Sequence, residues 1–151
     1  MAKTAGIVII GSEVLSGKVT DENSPYLARE LRDLGVEVRR MVTIPDERPV
    51  IVEAVRDMAQ THDFVFTTGG VGPTHDDVTI AAIAQTFGRR LVRDPLLEAM
   101  LRQHYGAEIT AAQLRMAEVP EGSRLLGEEA GRLPIVACEN VFIFPGVPET
   151  V

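Results

Sequence analysis

The sequence predicts an α/β fold: a mostly parallel sheet with helices on both faces and an antiparallel hairpin appended to it. Two observations carry the prediction. In the first ninety or so residues, short β-branched runs alternate with stretches of helical periodicity. That alternation implies right-handed crossovers between parallel strands. Towards the C-terminus the apolar runs 134–137 and 141–144 are separated only by Cys138, Glu139 and Asn140, a spacing that favours an antiparallel pair.

The elements follow in order. Residues 6–10 are a continuous apolar run, read as a buried strand that feeds a long polar loop, GSEVLSGKVTDEN. From Asn23 or Ser24, with Pro25 in the first turn, the spacing of Tyr26, Leu27, Leu31 and Leu34 marks an amphipathic helix ending at Gly35. Residues 36–44 read as the second strand. After the acidic connection 45–49, Val50, Ile51, Ala54, Val55 and Met58 form the buried stripe of the next helix. Residues 64–67 are the third strand, expected to be buried on both faces. A glycine-rich turn follows, and then a helix through Ile80, Ala81 and Ile83, capped by Thr74 or Asp76. RRLVRDP suggests a peripheral strand or hairpin, 95–105 a helix and 111–117 another. Without internal repeat or linker, residues 1–151 are expected to form one domain.

Bulk properties narrow the function. With 151 residues, 45 % of them hydrophobic, the chain can bury a core. A formal charge of −7 and a pI near 5.0, with no basic stripe, argue against a nucleic-acid partner. Cys138 is the single cysteine, which excludes an internal disulfide and suits the cytosol. It reads as a small buried hydrophobe. The N-terminus lacks the pattern of a leader, and no apolar stretch reaches spanning length, so neither export nor a membrane partner is expected.

Chemistry is concentrated in FVFTTGGVGPTHDDVT, residues 64–79. Gly69, Gly70 and Gly72 allow backbone amides to approach a ligand, and the following helix N-terminus favours an anion. Asp76 and Asp77 would repel a bare phosphate. Their presence implies a divalent cation between them and the ligand, magnesium with retained waters being the natural choice. The plain alternative is a tight turn that needs glycine for geometry alone. No lysine follows the glycines, so the segment is not a P-loop, and its spacing is not GxGxxG. In an open α/β sheet ligands sit beyond the carboxyl ends of the strands, where the loops 11–23, 45–47, 68–77 and 145–149 should converge. Ser12 and Glu13 enter the site on that ground, against the alternative of ordinary turn residues. Asp46 is equally readable as an acid at a helix N-terminus. Asp21 and Asn23 read as capping groups. The histidines lack zinc spacing, and neither Ser16 nor Cys138 has a nucleophile's context.

Taken in order, GSEVLSGKVTDEN, IPDE, TTGGVGPTHDDVT and FPGVPE resemble the MoaB/Mog-type molybdopterin-binding superfamily across essentially the whole chain. The likeness is greatest to the N-terminal domain of the CinA (competence/damage-inducible protein A) family. The resemblance implies a three-layer α/β/α sandwich, often a homo-oligomer, that binds a pterin or nucleotide phosphate at the carboxyl edge of its sheet, with molybdopterin as one ligand. Relatives that adenylylate molybdopterin use aspartates that align with Asp77 and Asp46. The ligand-binding set implied is Ser12, Glu13, Gly69, Gly70, Gly72, Thr74, Gly146 and Pro148. Asp46 and Asp77 are the implied catalytic pair and, with Asp76, the site for magnesium or cobalt. The doubled aspartate is typical of the CinA-like branch, which is associated with metal-dependent hydrolysis of ADP-ribose-type pyrophosphates. That family continues beyond the GVP loop, so the chain, ending at Val151, is expected to be truncated. The pyridine-nucleotide deamidation of a separate CinA domain is not transferred. Three functions stay open on sequence: a molybdopterin- or nucleotide-binding domain, a pyrophosphatase, and a non-catalytic sensing or oligomerisation module.

Overall fold

The computed structural model describes residues 2–127 and 134–145. The strand β1 (Thr4–Ile10) lies inside the main sheet, its residues buried from Ala5 onward. After it come a short helix α1 (Ser12–Leu15), the helix α2 (Asn23–Asp33), the strand β2 (Glu37–Ile44) and the helix α3 (Arg48–Thr61). Then follow β3 (Phe64–Thr68), α4 (Thr79–Thr86), β4 (Leu91–Arg93), α5 (Pro95–Tyr105) and α6 (Ala111–Leu114). The chain continues through β5 (Glu118–Pro120), β6 (Arg124–Leu126), β7 (Ile135–Cys138) and β8 (Val141–Phe144).

Among the described residues the main sheet has six strands in the order β2-β1-β3-β8-β7-β6. β2, β1, β3 and β8 run parallel, and β7 alone runs against them, pairing antiparallel with both β8 and β6. The expected hairpin 134–144 is therefore present. It is not an appendage, because β8 pairs with β3 in the sheet interior. Its tight turn places Glu139 at φ 53, and the Asn140 side-chain Nδ2 donates to the carbonyls of Ala59 and His62, fixing the end of α3. The RRLVRDP strand is β4, which pairs with β5 in a separate two-stranded sheet.

The two faces of the main sheet are covered unequally. One face packs Val8, Ile10 and Val65 against Ile51, Val55 and Met58 of α3, Ala82 and Ile83 of α4, and Leu97 and Leu101 of α5. On the other face Ile7, Ile9 and Phe144 meet Leu27 of α2. Phe64, Phe66 and Phe142 form a ladder on that side, with the Phe66 and Phe142 rings stacked at 5.3 Å. These three rings are only half-buried. The expectation that the third strand is buried on both faces is corrected: Val65 and Thr67 are enclosed, whereas Phe64 and Phe66 are not. The helix expected over 111–117 is also shorter, with a 3-10 turn replacing its last part, Arg115–Ala117. Among the described residues no helix is long and apolar enough to cross a membrane.

Right-handed crossovers explain the layers and place the site. From β1 the chain moves outward through α2 to β2, then back through α3 past β1 to β3. Opposite directions of travel put α2 and α3 on opposite faces. The strand order thus reverses between β1 and β3, which is where a crevice opens beyond the carboxyl ends in such sheets.

Candidate functional site

Parallel register brings the strand ends level. Ile10 lies beside Ile44, Ile9 beside Thr68, and Thr68 beside Phe144. The loops after β1, β2, β3 and β8 therefore start from one edge, as the sequence predicts. Of the last loop only Pro145 is described; Gly146 and Pro148 lie outside the described residues.

The loops after β1 and β2 are clasped together. Gly11 donates its amide to the Ile44 carbonyl at 2.9 Å. The Ser12 amide donates to Asp46 Oδ2 at 3.0 Å, and the Asp46 amide lies 3.3 Å from Ser12 Oγ. Asp46 thus already spans two loops. Burial is the main influence on its carboxyl and pushes its pKa above the ordinary value, the Ser12 bond opposes this, and the charges of Glu13, Asp77 and Asp76 raise it further. The predicted acids therefore share one field. Nearby, Asp21 accepts from the amides of Asn23 and Ser24 at 3.1 and 3.0 Å, serving the start of α2 as expected of a capping group.

The glycine turn after β3 is held by a different set of bonds. Gly69 and Gly70 adopt φ 91 and 69, the left-handed region that glycine enters without strain. A Cβ on Gly69 would strike the Ile10 carbonyl oxygen, and one on Gly70 would strike Thr79 Oγ1. Packing against β1 and α4 is thus a sufficient reason for both glycines. The Gly69 amide donates to the Phe144 carbonyl at 3.2 Å, Thr79 Oγ1 donates to the Gly69 carbonyl at 3.0 Å, and the Thr79 amide to the Gly70 carbonyl at 3.2 Å.

Beyond the turn, residues 74–77 close on themselves. Asp77 Oδ2 accepts from the Thr74 amide at 3.0 Å and from Thr74 Oγ1 at 2.7 Å, while the Asp77 amide returns a bond to the Thr74 carbonyl. The expected cap of α4 by Thr74 or Asp76 is not made. α4 begins only at Thr79, and its N-cap, Val78, makes no side-chain bond. A complete turn intervenes and absorbs the Thr74 side chain. Gly72 has ordinary φ, but a Cβ there would lie 2.7 Å from Asp77 Oδ2, so its smallness leaves room for the carboxylate. His75 and Asp76 project outward with side chains 95 % and 80 % exposed, 3.6 Å apart.

These bonds redistribute the expected anion cradle. The amides of Gly69 and Thr74 are consumed by Phe144 and Asp77. Among the described residues the amides of Gly70, Val71 and Gly72 have no hydrogen-bond partner. Val71 was not foreseen, because an amide's availability leaves no mark on side-chain identity. Thr79 was also missed as a site residue; a hydroxyl opening an apolar helix is its only sequence signal.

The donor set does not form a standing metal centre: among the described residues no three His, Cys, Asp or Glu side chains converge as ligands. Magnesium needs less, keeping several waters and taking one or two carboxylates plus ligand phosphates. The acids around Asp46 fit a cation that arrives with a phosphorylated ligand. Cys138 is buried and its thiol is pushed up chiefly by that burial, which suits packing rather than nucleophilic chemistry. Two surface hollows of about 420 and 390 Å³ lie away from this edge, one along α5 at Arg93 and Arg102, the other beside Gln60 and Asn140.

The family model described as "Probable molybdopterin binding domain" matches residues 6–151. A CinA-like protein from Myxococcus xanthus is 38 % identical over 94 % of this chain and 35 % of its own length. The chain spans 35 % to 61 % of the length of the first curated relatives it matches. The crystal structure of the protein CinA, of unknown function, from Thermoplasma acidophilum superposes with a TM-score of 0.89 at 34 % identity, covering 99 % of this chain and 91 % of that one. The molybdopterin biosynthesis enzyme MoaB from Thermus thermophilus shares the fold, with a TM-score of 0.62 at 20 % identity over 98 % of this chain and 84 % of that one. The chain belongs to the molybdopterin-binding domain family of MoaB and Mog, close to the CinA N-terminal domain.

Proposed function

We propose that this domain binds a phosphorylated pterin or nucleotide at the carboxyl edge of its sheet. The phosphate sits against the amides of Gly70, Val71 and Gly72, and a divalent cation, magnesium or cobalt, accompanies it on the side of Asp46, Asp76 and Asp77. The observation that carries this reading is a set of unpaired backbone donors at the β1/β3 reversal, in a site where burial and then the charges of Glu13, Asp77 and Asp76 raise the Asp46 pKa. Donors alone favour an anion, whereas carboxylates alone repel it. Both are accommodated when a cation bridges them. Bound there, the metal would neutralise phosphate charge; Thr74 keeps the Asp77 carboxylate in place, and Ser12 does the same for Asp46. A cytosolic location and a homo-oligomeric state belong to the same proposal, the second being measurable by light scattering.

One observation favours a hydrolytic reading. Asp76 is exposed beside Asp77, leaving a carboxylate outside the turn's own bonds to order water near a pyrophosphate. Calorimetry with ADP-ribose, ATP and a pterin, each with and without magnesium or cobalt, tests the binding proposal. Metal-dependent binding of at least one phosphorylated compound is expected. Binding of none would reject it and leave a module whose carboxylates are structural. Product analysis of ADP-ribose incubated with metal separates turnover from binding.

A further inference from the structure

We infer that Thr79 is the positioning residue of the anion site: its hydroxyl and its amide together set the direction in which the glycine turn presents its donors. Thr79 is 0 % exposed. Its Oγ1 and amide hold the carbonyls of Gly69 and Gly70, respectively, towards the start of α4. A trans peptide is planar, so the carbonyl of one residue and the amide of the next point in opposite directions. The described chain contains no cis peptide. Drawing the Gly69 and Gly70 carbonyls towards α4 therefore turns the amides of Gly70 and Val71 away from it. These are two of the three glycine-turn amides, at residues 70–72, that have no partner among the described residues.

The turn's other bonds do not have this effect. The Gly69 amide fixes the end of β3 to β8, and Asp77 closes the far side of the segment on Thr74. Among the described residues only Thr79 bonds to both peptides that carry the Gly70 and Val71 amides. Residues 70 and 79 are also sterically matched, because the Thr79 hydroxyl occupies the space that a Cβ on Gly70 would need. Thr79 acts through the backbone and does not itself touch the ligand. The inference rests on the phosphate reading of these amides.

The test uses the full chain with Thr79→Val, which keeps the shape and loses the donor, and Thr79→Ser, which keeps the donor. Calorimetry with ADP-ribose and magnesium should show about tenfold weaker binding for Thr79→Val and near wild-type binding for Thr79→Ser. In ligand-free amide NMR spectra, Gly70 and Val71 should move in the valine variant and return in the serine variant. A valine variant with wild-type affinity, or with those amides unmoved, overturns the inference. If the wild-type chain binds no ADP-ribose, the phosphate reading falls with that probe, and the ligand-free spectra still decide the role of Thr79. Displacement restored by serine upholds it; unmoved resonances overturn it. If Thr79→Val does not fold, Thr79→Ala also lacks the hydroxyl and carries the same comparison.

Discussion

Asp46 and Asp77 lie on loops at the two sides of the β1/β3 reversal, and both accept a hydrogen bond from the amide of a hydroxyl residue, yet they organise different amounts of structure. Asp77 closes a turn with Thr74, three residues before it. Asp46 joins Ser12, thirty-four residues away, and so binds the loop after β2 to the loop after β1. Sequence separation decides what each bond constrains. Removing a local closure frees a few residues, whereas removing a long-range clasp frees two loops relative to each other. The Asp77 side is consequently suited to presenting a carboxylate, and the Asp46 side to holding the loops after β1 and β2 together.

The largest expected effect sharpens the comparison by attacking what both sides share, the packing of the glycine turn on β1. Gly69→Ala forces a side chain into φ 91 and against the Ile10 carbonyl. It should cost about 2–4 kcal/mol in urea denaturation. A loss well under 1 kcal/mol would show that the turn has slack and that its glycines are free for another purpose.

Next come the two acids themselves. Asp46→Ala should lower stability by about 1–2 kcal/mol and speed amide exchange in both the β1 and β2 loops. Asp77→Ala should cost about 1 kcal/mol, with faster exchange confined to residues 74–77. Equal spread of exchange in the two variants would break the distinction.

A smaller effect is the pH dependence of the clasp. Burial first, then the charges of Glu13, Asp77 and Asp76, hold the Asp46 pKa above its ordinary 3.8 despite the Ser12 bond. The native state therefore binds this proton more tightly than the unfolded chain. The stability gained by protonated Asp46 is fully present below 3.8 and is lost as pH rises through the higher folded value. Asp46→Asn should remove that decline from acid-range denaturation curves. An unchanged pH profile would contradict the assignment. Smallest of all, Asp76→Asn should change stability by no more than about 0.5 kcal/mol, since its side chain is 80 % exposed; a larger loss in urea denaturation would show that Asp76 has a structural role.

The same comparison shows where sequence was informative. Alternating apolar runs identify the strands that build the parallel edge, and the short interruption at Cys138, Glu139 and Asn140 identifies the β7/β8 hairpin, because these patterns record local conformation and burial. They contain no register, so β8 was not foreseen as the inner neighbour of β3. Ser12, Asp46 and Asp77 are recognisable as polar residues after strands. Which of them bonds which is a tertiary property, and the pairing of Asp46 with Ser12 follows only once Ile10 and Ile44 are level. Gly69 and Gly70 were legible as a turn, but the occupation of the Gly69 amide by Phe144 depends on a strand more than seventy residues later. The short runs of β5 and β6 carry too few residues for a period to be distinctive.

In the function we propose, the anion meets the amides of Gly70, Val71 and Gly72. The most direct test is an amide NMR titration of the chain with ADP-ribose in the presence of magnesium. Those three resonances should move most, while the amides of Gly69 and Thr74, already bonded within the protein, move less. Saturable binding whose largest shifts fall elsewhere, leaving Gly70, Val71 and Gly72 in place, would contradict it.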